Sequence, residues 1–320
     1  MRTFPDMEPL IRSLHHVTAT VGDAQEDLDF YRRALGLRLV KKTVNFDNHN
    51  VYHFYYGNET GTPSTIMTTF PYKGWGVAVG AKGAGQVTVT SFSVPEGSLD
   101  SWRRRLAEQG VAYDDRATVF GEESLIVPDP SGLDIELIEA KGDEREPWVG
   151  GDIDPAAAIR GIHGVTLTVR SNDRTLQFLT DVLGFRVVDE TQSRTRVATG
   201  AGGAGRILDV VEARDAAGAV NGLGTVHHVA LAIADADEQL RAREELIHLG
   251  YNVTPVRDRQ YFQSIYFREP GGVLYEIATL PPGFLVDEDV SRLGAELKLP
   301  PWEEPHRSTI EATLPRIQQG

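Results

Sequence analysis

Two adjacent histidine pairs and one glutamate are the residues of this chain whose types and spacing could bind a metal ion. His15–His16 lies near the start, in SLHHVT, and His227–His228 lies in the last third, in GTVHHVALAIAD. Glu276 follows in the strand-like segment VLYEIATL. Imidazole nitrogens and carboxylate oxygens are ligands that divalent transition metals accept. We therefore predict that these distant stretches of the chain meet at one metal ion.

Two histidines and one carboxylate form the facial ligand set of non-haem Fe(II) oxygenases, in which the remaining positions accept a substrate oxygen and O2. The sequence contains no cysteine, which excludes both disulfides and thiolate metal sites. Because thiolates shift the preference toward zinc, their absence leaves iron as the metal that this ligand set favours.

The elements that must position these residues form four copies of one unit, which we call modules 1 to 4. Each module is predicted to contain a strand, a helix and three further strands, and the first strands are LHHVTATV, QVTVTSFSV, GIHGVTLTV and VHHVALAI. A glycine ends the helical pattern of each module. These glycines align module 1 with module 3 and module 2 with module 4; in chain order they are Gly36, Gly110, Gly184 and Gly250.

The repeated pattern predicts an α+β fold in which four βαβββ modules form two cup-like or barrel-like sheets with the helices outside. Modules 1 and 2 occupy residues 12–140, and modules 3 and 4 occupy residues 161–280. The polar stretch 141–160 is predicted to be a linker, and residues 281–320 form a C-terminal extension.

Strand alternation predicts which histidines line the cup. His16 and Thr18 share the concave face of the first strand of module 1, and His228 has the same register in module 4. By the same alternation, His15 and His227 are expected to point away from the cup.

Alignment of the modules predicts how the middle modules differ. Gly164 and Thr88 stand where modules 1 and 4 have their inward histidines. Glu136 matches the glutamate of module 4, and the corresponding corner of module 1 falls at about Ile66. The middle modules are therefore expected to supply one carboxylate, with a structural role, and no histidine.

The composition excludes several classes of partner. The chain of 320 residues carries a formal net charge of −14, which argues against a nucleic acid or an anionic membrane surface. No stretch approaches the roughly 20 apolar residues of a membrane span, and MRTFPDMEPLIRS has no apolar run of signal-peptide length. We expect a cytoplasmic protein.

The modules, the two histidine pairs and the run DRQYFQSIYFREPGGVLYEIATLPPGF together resemble the vicinal oxygen chelate superfamily, which includes glyoxalases, bleomycin resistance proteins and extradiol dioxygenases. Within it, nearly the whole chain resembles the ring-cleaving dioxygenases of the hydroquinone and chlorohydroquinone type. The resemblance implies Fe(II), or less often Mn(II), bound by His16, His228 and Glu276. It also implies a small aromatic substrate and O2 as partners, with both oxygen atoms inserted beside a ring hydroxyl. We further expect a homo-oligomer.

The resemblance also implies a set of residues around the metal that would act on the substrate: His15, Thr18, His227, Arg259 and Tyr266. Tyr266 and Glu276 lie at equal distances from the centre of the EPGG turn, so antiparallel pairing predicts that they face the cup together. Tyr266 is then the expected hydrogen-bond donor, and Arg259 the expected partner of a phenolate oxygen. Gly164 departs from the catechol-cleaving enzymes, which take their ligands from modules 3 and 4.

Two other functions fit the same scaffold. A metal isomerase or lyase of the glyoxalase kind would favour two carboxylates and a non-redox metal. A metal-free small-molecule binding protein needs no ligand set, which would leave the matched histidines unexplained. Fold alone does not decide between these functions. Three other histidines are expected to be structural: His49, His53 and His163.

Overall fold

The computed structural model of the chain describes residues 10–318 and consists of four βαβββ modules followed by an extension. The strands of modules 1 and 2 are β1 Ser13–Val21, β2 Arg38–Asn45, β3 Asn48–Gly57, β4 Ile66–Pro71, β5 Gln86–Val94, β6 Asp114–Val119, β7 Glu122–Pro128 and β8 Asp134–Glu139. Those of modules 3 and 4 are β9 Gly161–Val169, β10 Arg186–Glu190, β11 Arg194–Ala198, β12 Ile207–Glu212, β13 Thr225–Ile233, β14 Arg257–Asp258, β15 Gln263–Arg268 and β16 Leu274–Thr279.

The strands form two sheets, each built from one module of either half of the chain. The first sheet has the order β14-β15-β16-β13-β1-β4-β3-β2 and combines modules 4 and 1. The second has the order β10-β11-β12-β9-β5-β8-β7-β6 and combines modules 3 and 2. In both sheets the two modules join through antiparallel first strands, β1 with β13 and β5 with β9. The predicted α+β architecture of two curled sheets is confirmed.

Five α-helices lie in the described range: α1 Ala24–Asp29, α2 Leu99–Glu108, α3 Asp173–Gln177, α4 Ala236–His248 and α5 Arg307–Thr313. The side chain of Asp23 caps α1 by accepting hydrogen bonds from two backbone N–H groups of the first turn. A π-helical turn, Phe30–Ala34, extends α1, and Gly36 ends it in the left-handed conformation that glycine adopts without strain. Leu28 and Tyr31 are buried in the main core, between the helix and the sheet.

A β-bulge interrupts alternation in the first strand of every module. Leu14 and His16 of β1 pair with the consecutive residues Leu231 and Ala230, so one residue between them is unmatched. The same shift occurs once in each of the other first strands. The unmatched residues are His15, Thr88, His163 and His227. A bulge places two neighbouring side chains where regular alternation would separate them.

The C-terminal extension packs against the first sheet. Lys41 is buried, and its Nζ lies 2.5 Å from carboxylate oxygens of both Asp287 and Glu288. Phe284 of the extension contacts the ring of Tyr55, within a small apolar cluster separate from the main core. The extension therefore covers one side of the first sheet. Among the helices of residues 10–318, none has both the length and the apolar character needed to span a bilayer.

Candidate metal centre

Three buried side chains from adjacent strands of the first sheet converge on one point. The Nε2 atoms of His16 on β1 and His228 on β13 lie 3.3 Å apart. The Oε2 atom of Glu276 on β16 lies 3.4 Å from His16 Nε2 and 2.8 Å from His228 Nε2. In the described part of the chain, these residues form the one cluster of three or more with potential metal-ligating groups.

The geometry of these three atoms fits a bound divalent ion. Ligand atoms at about 2.1 Å from a metal and at right angles to each other lie about 3 Å apart, as these atoms do. Ser264 donates a hydrogen bond to Oε1 of Glu276. Oε2, in contrast, is buried and has no hydrogen bond of ordinary geometry. A buried carboxylate oxygen without a donor needs a cation, and the two imidazole nitrogens beside it complete one face of a coordination sphere.

Each bulge histidine lies within hydrogen-bond distance of one candidate ligand. Nδ1 of His15 lies 2.8 Å from Nδ1 of His16, and Nδ1 of His227 lies 2.8 Å from Nδ1 of His228. Burial, followed by the neighbouring histidine, lowers the pKa of both His15 and His227 to about 3, so both rings are neutral. When the ligand histidines donate their Nδ1–H to these partners, their Nε2 lone pairs remain available for a metal.

The expectation that His227 turns away from the cup is wrong, since its side chain lines the cavity beside His228. His15 packs with its ring centroid 4.9 Å from that of Phe262 and touches His16 through Nδ1. Both placements follow from the bulges, which break the strict alternation on which that expectation depended.

The charges of the cluster are coupled. Burial alone would raise the pKa of Glu276, but His16 and His228 outweigh it and hold that pKa well below its usual range. Burial lowers the pKa of His228, although Glu276 opposes this effect. The site therefore offers an ionised carboxylate and a neutral imidazole at neutral pH, the forms that bind metals.

The cluster lies in a cavity of about 230 Å³ on the concave side of the first sheet, which we call the first cup. A dry cavity of about 150 Å³ can hold benzene, so the first cup has room for one substituted ring. The apolar part of its wall consists of aromatic side chains: Phe46, Tyr55, Phe70, Tyr72, Phe262 and Tyr266. Its polar part includes Thr18, Asn45, Asp47, His53 and Arg259.

Tyr266 and Arg259 contact each other in the wall of the first cup. Tyr266 pairs with Glu276 across β15 and β16, in the register predicted from the turn. Arg259 donates from Nε to the Tyr266 hydroxyl at 3.1 Å, and its Nη2 lies 2.9 Å from Asp47. Burial, reinforced by Glu276, raises the pKa of Tyr266, so its phenol stays protonated and can donate a hydrogen bond at neutral pH.

Thr68, and not Ile66, occupies the position in module 1 that matches Glu276. Glu276 pairs with Ala230, two residues after His228, and Thr68 pairs with Thr18, two residues after His16. The expected apolar corner of the first cup is therefore polar. Because side chains alternate along a strand, Ile66 and Thr68 point to the same face of β4. The matching position therefore moves by two residues along the strand and stays on the concave face.

His53 is a further residue of the first cup that the sequence pattern assigned to structure. It lies on β3 and lines the cavity, and its Nε2 is 2.9 Å from Thr68 Oγ1. The alternation in VYHFYYG carried a signal, since Tyr52, Phe54 and Tyr56 belong to the main core while His53 faces the other side. The alignment of the modules, which identified His16, His228 and Glu276, gave no indication that His53 has a functional role.

The corresponding interior of the second sheet, which we call the second cup, holds two carboxylates where one was expected. Glu136 pairs with Ser91, and Asp209 pairs with Thr166. These are the positions that match Glu276 in modules 2 and 3. Alignment of the modules predicted Glu136. It did not predict Asp209, because the glycine-rich segment before β12 makes the alignment of modules 1 and 3 ambiguous there.

At the positions that match His16 and His228, the second cup has no metal-ligating side chain. Strand pairing confirms Gly164 as the counterpart of His16. The counterpart of His228 is Val89, since Thr88 is the bulge residue and matches His227. The expected match with Thr88 is therefore off by one residue, and the conclusion that no histidine replaces the ligands stands.

Comparison with known proteins identifies the family of the chain. Residues 13–137 and 161–277 match the model of the Glyoxalase/Bleomycin resistance protein/Dioxygenase superfamily. The chain belongs to this superfamily. The two matched segments coincide with the two pairs of modules, so the superfamily assignment covers both cups.

Two relatives within the superfamily match almost their whole length. A Bacillus subtilis protein named "Putative ring-cleaving dioxygenase MhqO" is 44% identical over 301 residues, which cover 94% of this chain and 95% of the relative. The chlorohydroquinone/hydroquinone 1,2-dioxygenase of Sphingobium indicum is 37% identical over 311 residues, which cover 95% of this chain and 96% of the relative.

Solved structures share the fold. A crystal structure titled as a putative dioxygenase from Bacillus subtilis is 42% identical and superposes with a TM-score of 0.92, covering 98% of this chain and 99% of that chain. Glyoxalase I from Zea mays, at 15% identity and a TM-score of 0.62, covers 83% of this chain and 92% of that chain, and it shares the fold alone.

Proposed function

We propose that this protein is an Fe(II)-dependent ring-cleaving dioxygenase of the extradiol type, acting on a hydroquinone and inserting both atoms of O2. The observation that carries the proposal is the buried face of two imidazole nitrogens and one carboxylate oxygen at the end of an aromatic cavity of one-ring size. The names of the full-length relatives as ring-cleaving and hydroquinone dioxygenases support it.

His16, His228 and Glu276 would hold the ion on one side and leave its other positions facing the cavity. A bound Fe(II) ion would supply the redox chemistry by which a phenol reacts with O2. By accepting Nδ1–H from the ligand rings, His15 and His227 would keep those rings in the tautomer that presents Nε2. Because His15 and His227 are neutral, they would orient the ligand rings without adding charge to the site.

The wall of the first cup supplies groups for binding and proton transfer. Its aromatic rings exclude water and stack against a substrate ring. Tyr266 carries a protonated hydroxyl that can donate to a substrate or oxygen atom, and Arg259 stabilises negative charge on the tyrosine or on a phenolate. Thr18 lies in the same wall, two residues from His16.

The hydroxyl at Thr68 favours this function over a glyoxalase-type isomerase or lyase. Such an enzyme is expected to use two carboxylates, and the second carboxylate position of the first cup carries a threonine. A hydroquinone is preferred over a catechol as substrate because the ligands come from modules 1 and 4, while Gly164 interrupts the catechol-type set in module 3.

The test is metal analysis of protein purified without oxygen, followed by O2 uptake with methylhydroquinone, chlorohydroquinone and catechol. We expect iron to support turnover, with both hydroquinones cleaved faster than catechol. Activity with manganese and none with iron would replace the metal in the proposal. Catechol cleaved much faster than either hydroquinone would reverse the substrate, and no O2 uptake with any phenol would reject ring cleavage.

A further inference from the structure

Three buried side chains form a chain of hydrogen bonds along the wall of the first cup. His53 Nε2 lies 2.9 Å from Thr68 Oγ1, and the Thr68 hydroxyl donates to Thr18 Oγ1 at 2.8 Å. All three residues are buried, and His53 and Thr18 line the cavity. Thr68 occupies the position that matches Glu276, so a relay of neutral groups replaces a second carboxylate there.

The direction of each hydrogen bond follows from counting hydrogens. Thr68 has one hydroxyl hydrogen and gives it to Thr18, so its oxygen must accept from His53 Nε2–H. Burial holds the pKa of His53 well below its usual range, which keeps the ring neutral with a single N–H. Thr18 accepts from Thr68, and its own hydrogen is left for an acceptor inside the cavity.

The first member of the chain is fixed in place by packing. The centroid of the His53 ring lies 4.1 Å from that of Tyr55 and 4.3 Å from that of Phe70. A ring held by neighbours on two sides keeps one orientation, so the donor at Nε2 stays directed at Thr68. Hydrogen bonds that run in one direction polarise each other, which strengthens the last donor of the chain.

We propose that His53 is a positioning residue: through Thr68 it fixes the Thr18 hydroxyl as a hydrogen-bond donor to an oxygen of the phenol bound in the first cup. The proposal rests on the proposed function for the identity of the ligand, a hydroquinone. It assigns to module 1 a role in binding substrate besides the supply of His16.

The test measures binding without turnover. The protein is loaded with Zn(II), which accepts two histidines and a glutamate and has no redox chemistry, and hydroquinone is titrated by calorimetry without oxygen. Thr68→Val removes the central hydroxyl with little change in shape. His53→Phe keeps an aromatic ring between its neighbours and removes the donor. His53→Gln is the conservative variant, because its amide nitrogen can reach the position of Nε2.

We expect Thr68→Val and His53→Phe to bind hydroquinone roughly two- to tenfold more weakly, the scale of one neutral hydrogen bond. His53→Gln should retain an affinity within about twofold of the wild type. Zn(II) content should be unchanged in all variants. The matched control is Thr88→Val, which removes a similar 2.8 Å contact with Thr168 in the second sheet and should leave affinity unchanged.

A double variant tests whether the effect passes through Thr18. When Thr18 is already replaced by Val, adding Thr68→Val should cause no further loss, because the terminal donor is gone. Wild-type affinity in both Thr68→Val and His53→Phe would overturn the proposal, as would a full additional loss in the double variant. Absence of O2 uptake by the wild-type iron enzyme, with these binding results unchanged, would reject ring cleavage and leave the positioning role intact.

Discussion

The first and second cups are built from the same module, yet their interiors satisfy buried charge in opposite ways. In the first cup, Glu276 faces the imidazoles of His16 and His228, and one of its oxygens has no well-formed hydrogen bond. In the second cup, Arg196 reaches Asp209, the carboxylate at the position that matches Thr68, with Nε 2.7 Å from Asp209 Oδ1 and Nη1 2.6 Å from Glu122 Oε2. The second cup thus contains its own cation as a side chain.

The difference shows how one scaffold can serve chemistry or stability. A buried carboxylate needs a positive partner, and a covalently attached guanidinium meets that need permanently. Where no cationic side chain is present, an exchangeable metal ion can supply the positive charge. The remaining coordination positions of such an ion are open to other molecules. The replacement of the two inward histidines by Gly164 and Val89 removes the other ligands from the second cup.

The largest effect expected from this contrast is on metal content. His16→Ala, His228→Ala and Glu276→Ala should each abolish iron binding in protein reconstituted without oxygen, because each removes one of three ligands, while circular dichroism shows that the fold is retained. Glu136→Ala, in the matching position of the second cup, should leave the iron content unchanged. Full iron occupancy in a first-cup variant would remove that residue from the ligand set, and loss in Glu136→Ala would assign the metal to the other cup.

The second prediction concerns turnover with the metal in place. Tyr266→Phe should keep its iron and lower kcat by roughly ten- to a thousandfold, the scale of one lost proton donor. Tyr275→Phe is the control, since this neighbouring tyrosine is buried in the main core and its hydroxyl has no partner there. Equal turnover by iron-loaded Tyr266→Phe and wild type would show that Tyr266 only packs.

The third prediction concerns stability and the second cup. Arg196→Met should lower the free energy of unfolding by roughly 2–3 kcal/mol, because it leaves buried carboxylates with fewer donors. Iron content and turnover at temperatures well below the melting point should not change. Asp209 keeps Arg194 as a partner at 3.0 Å in this variant, so adding Asp209→Leu should restore stability only if the weakened pairing of this carboxylate causes the loss. A loss of iron in Arg196→Met would contradict the separation of roles between the cups.

The fourth prediction concerns a difference in pH dependence between the two sheets. Burial raises the pKa of Asp27, behind the first sheet, from 3.8 to about 8, although Thr69 and Tyr56 donate hydrogen bonds to it. The stability that its neutral form contributes is fully present below about pH 4 and is lost as the pH rises through about 8. Asp27→Asn should therefore become more stable than the wild type across that interval, as measured by denaturant unfolding.

In the second sheet the sign is opposite. Burial would raise the pKa of Glu122, but His163 and Arg196 outweigh it and lower that pKa. The stability from this ionised group is present above its ordinary pKa and is lost as the pH falls through the lowered value. Glu122→Gln should accordingly lose less stability on acidification than the wild type. An unfolding profile of Asp27→Asn parallel to that of the wild type from pH 4 to 8 would contradict the assignment at Asp27.

The repeated modules and the ligand spacing made much of this arrangement predictable. His16 and His228 occupy equivalent positions of first strands, and Glu276 follows at the end of module 4, so their convergence was visible in the sequence. Tyr266 was placed correctly because a hairpin turn fixes the register of the two strands that flank it. The first inference depends on the repetition of the modules, and the second depends on a single turn.

The errors have a common physical cause. A bulge exists only relative to a partner strand, so the single strand sequence around His227 carried no sign of it. The position of Thr68 depends on the parallel register of β1 with β4, which a long connection leaves open. Asp209 follows a glycine-rich segment of uncertain length in the alignment. His53 was visible as an inward residue, but its role depends on contacts with two other strands.

The pairing of β1 with β13 has a consequence for the order in which the protein can be made. A chain leaving the ribosome folds from its N-terminus, at about 5–20 residues per second. His16 emerges early, whereas the strands that carry His228 and Glu276 emerge only after most of the chain has been synthesised. During this interval one edge of β1 lacks its partner, and only one of the three proposed metal ligands is available. If the metal binds as proposed, its loading is confined to the nearly finished polypeptide, and a prematurely terminated product lacks two of the three proposed ligands.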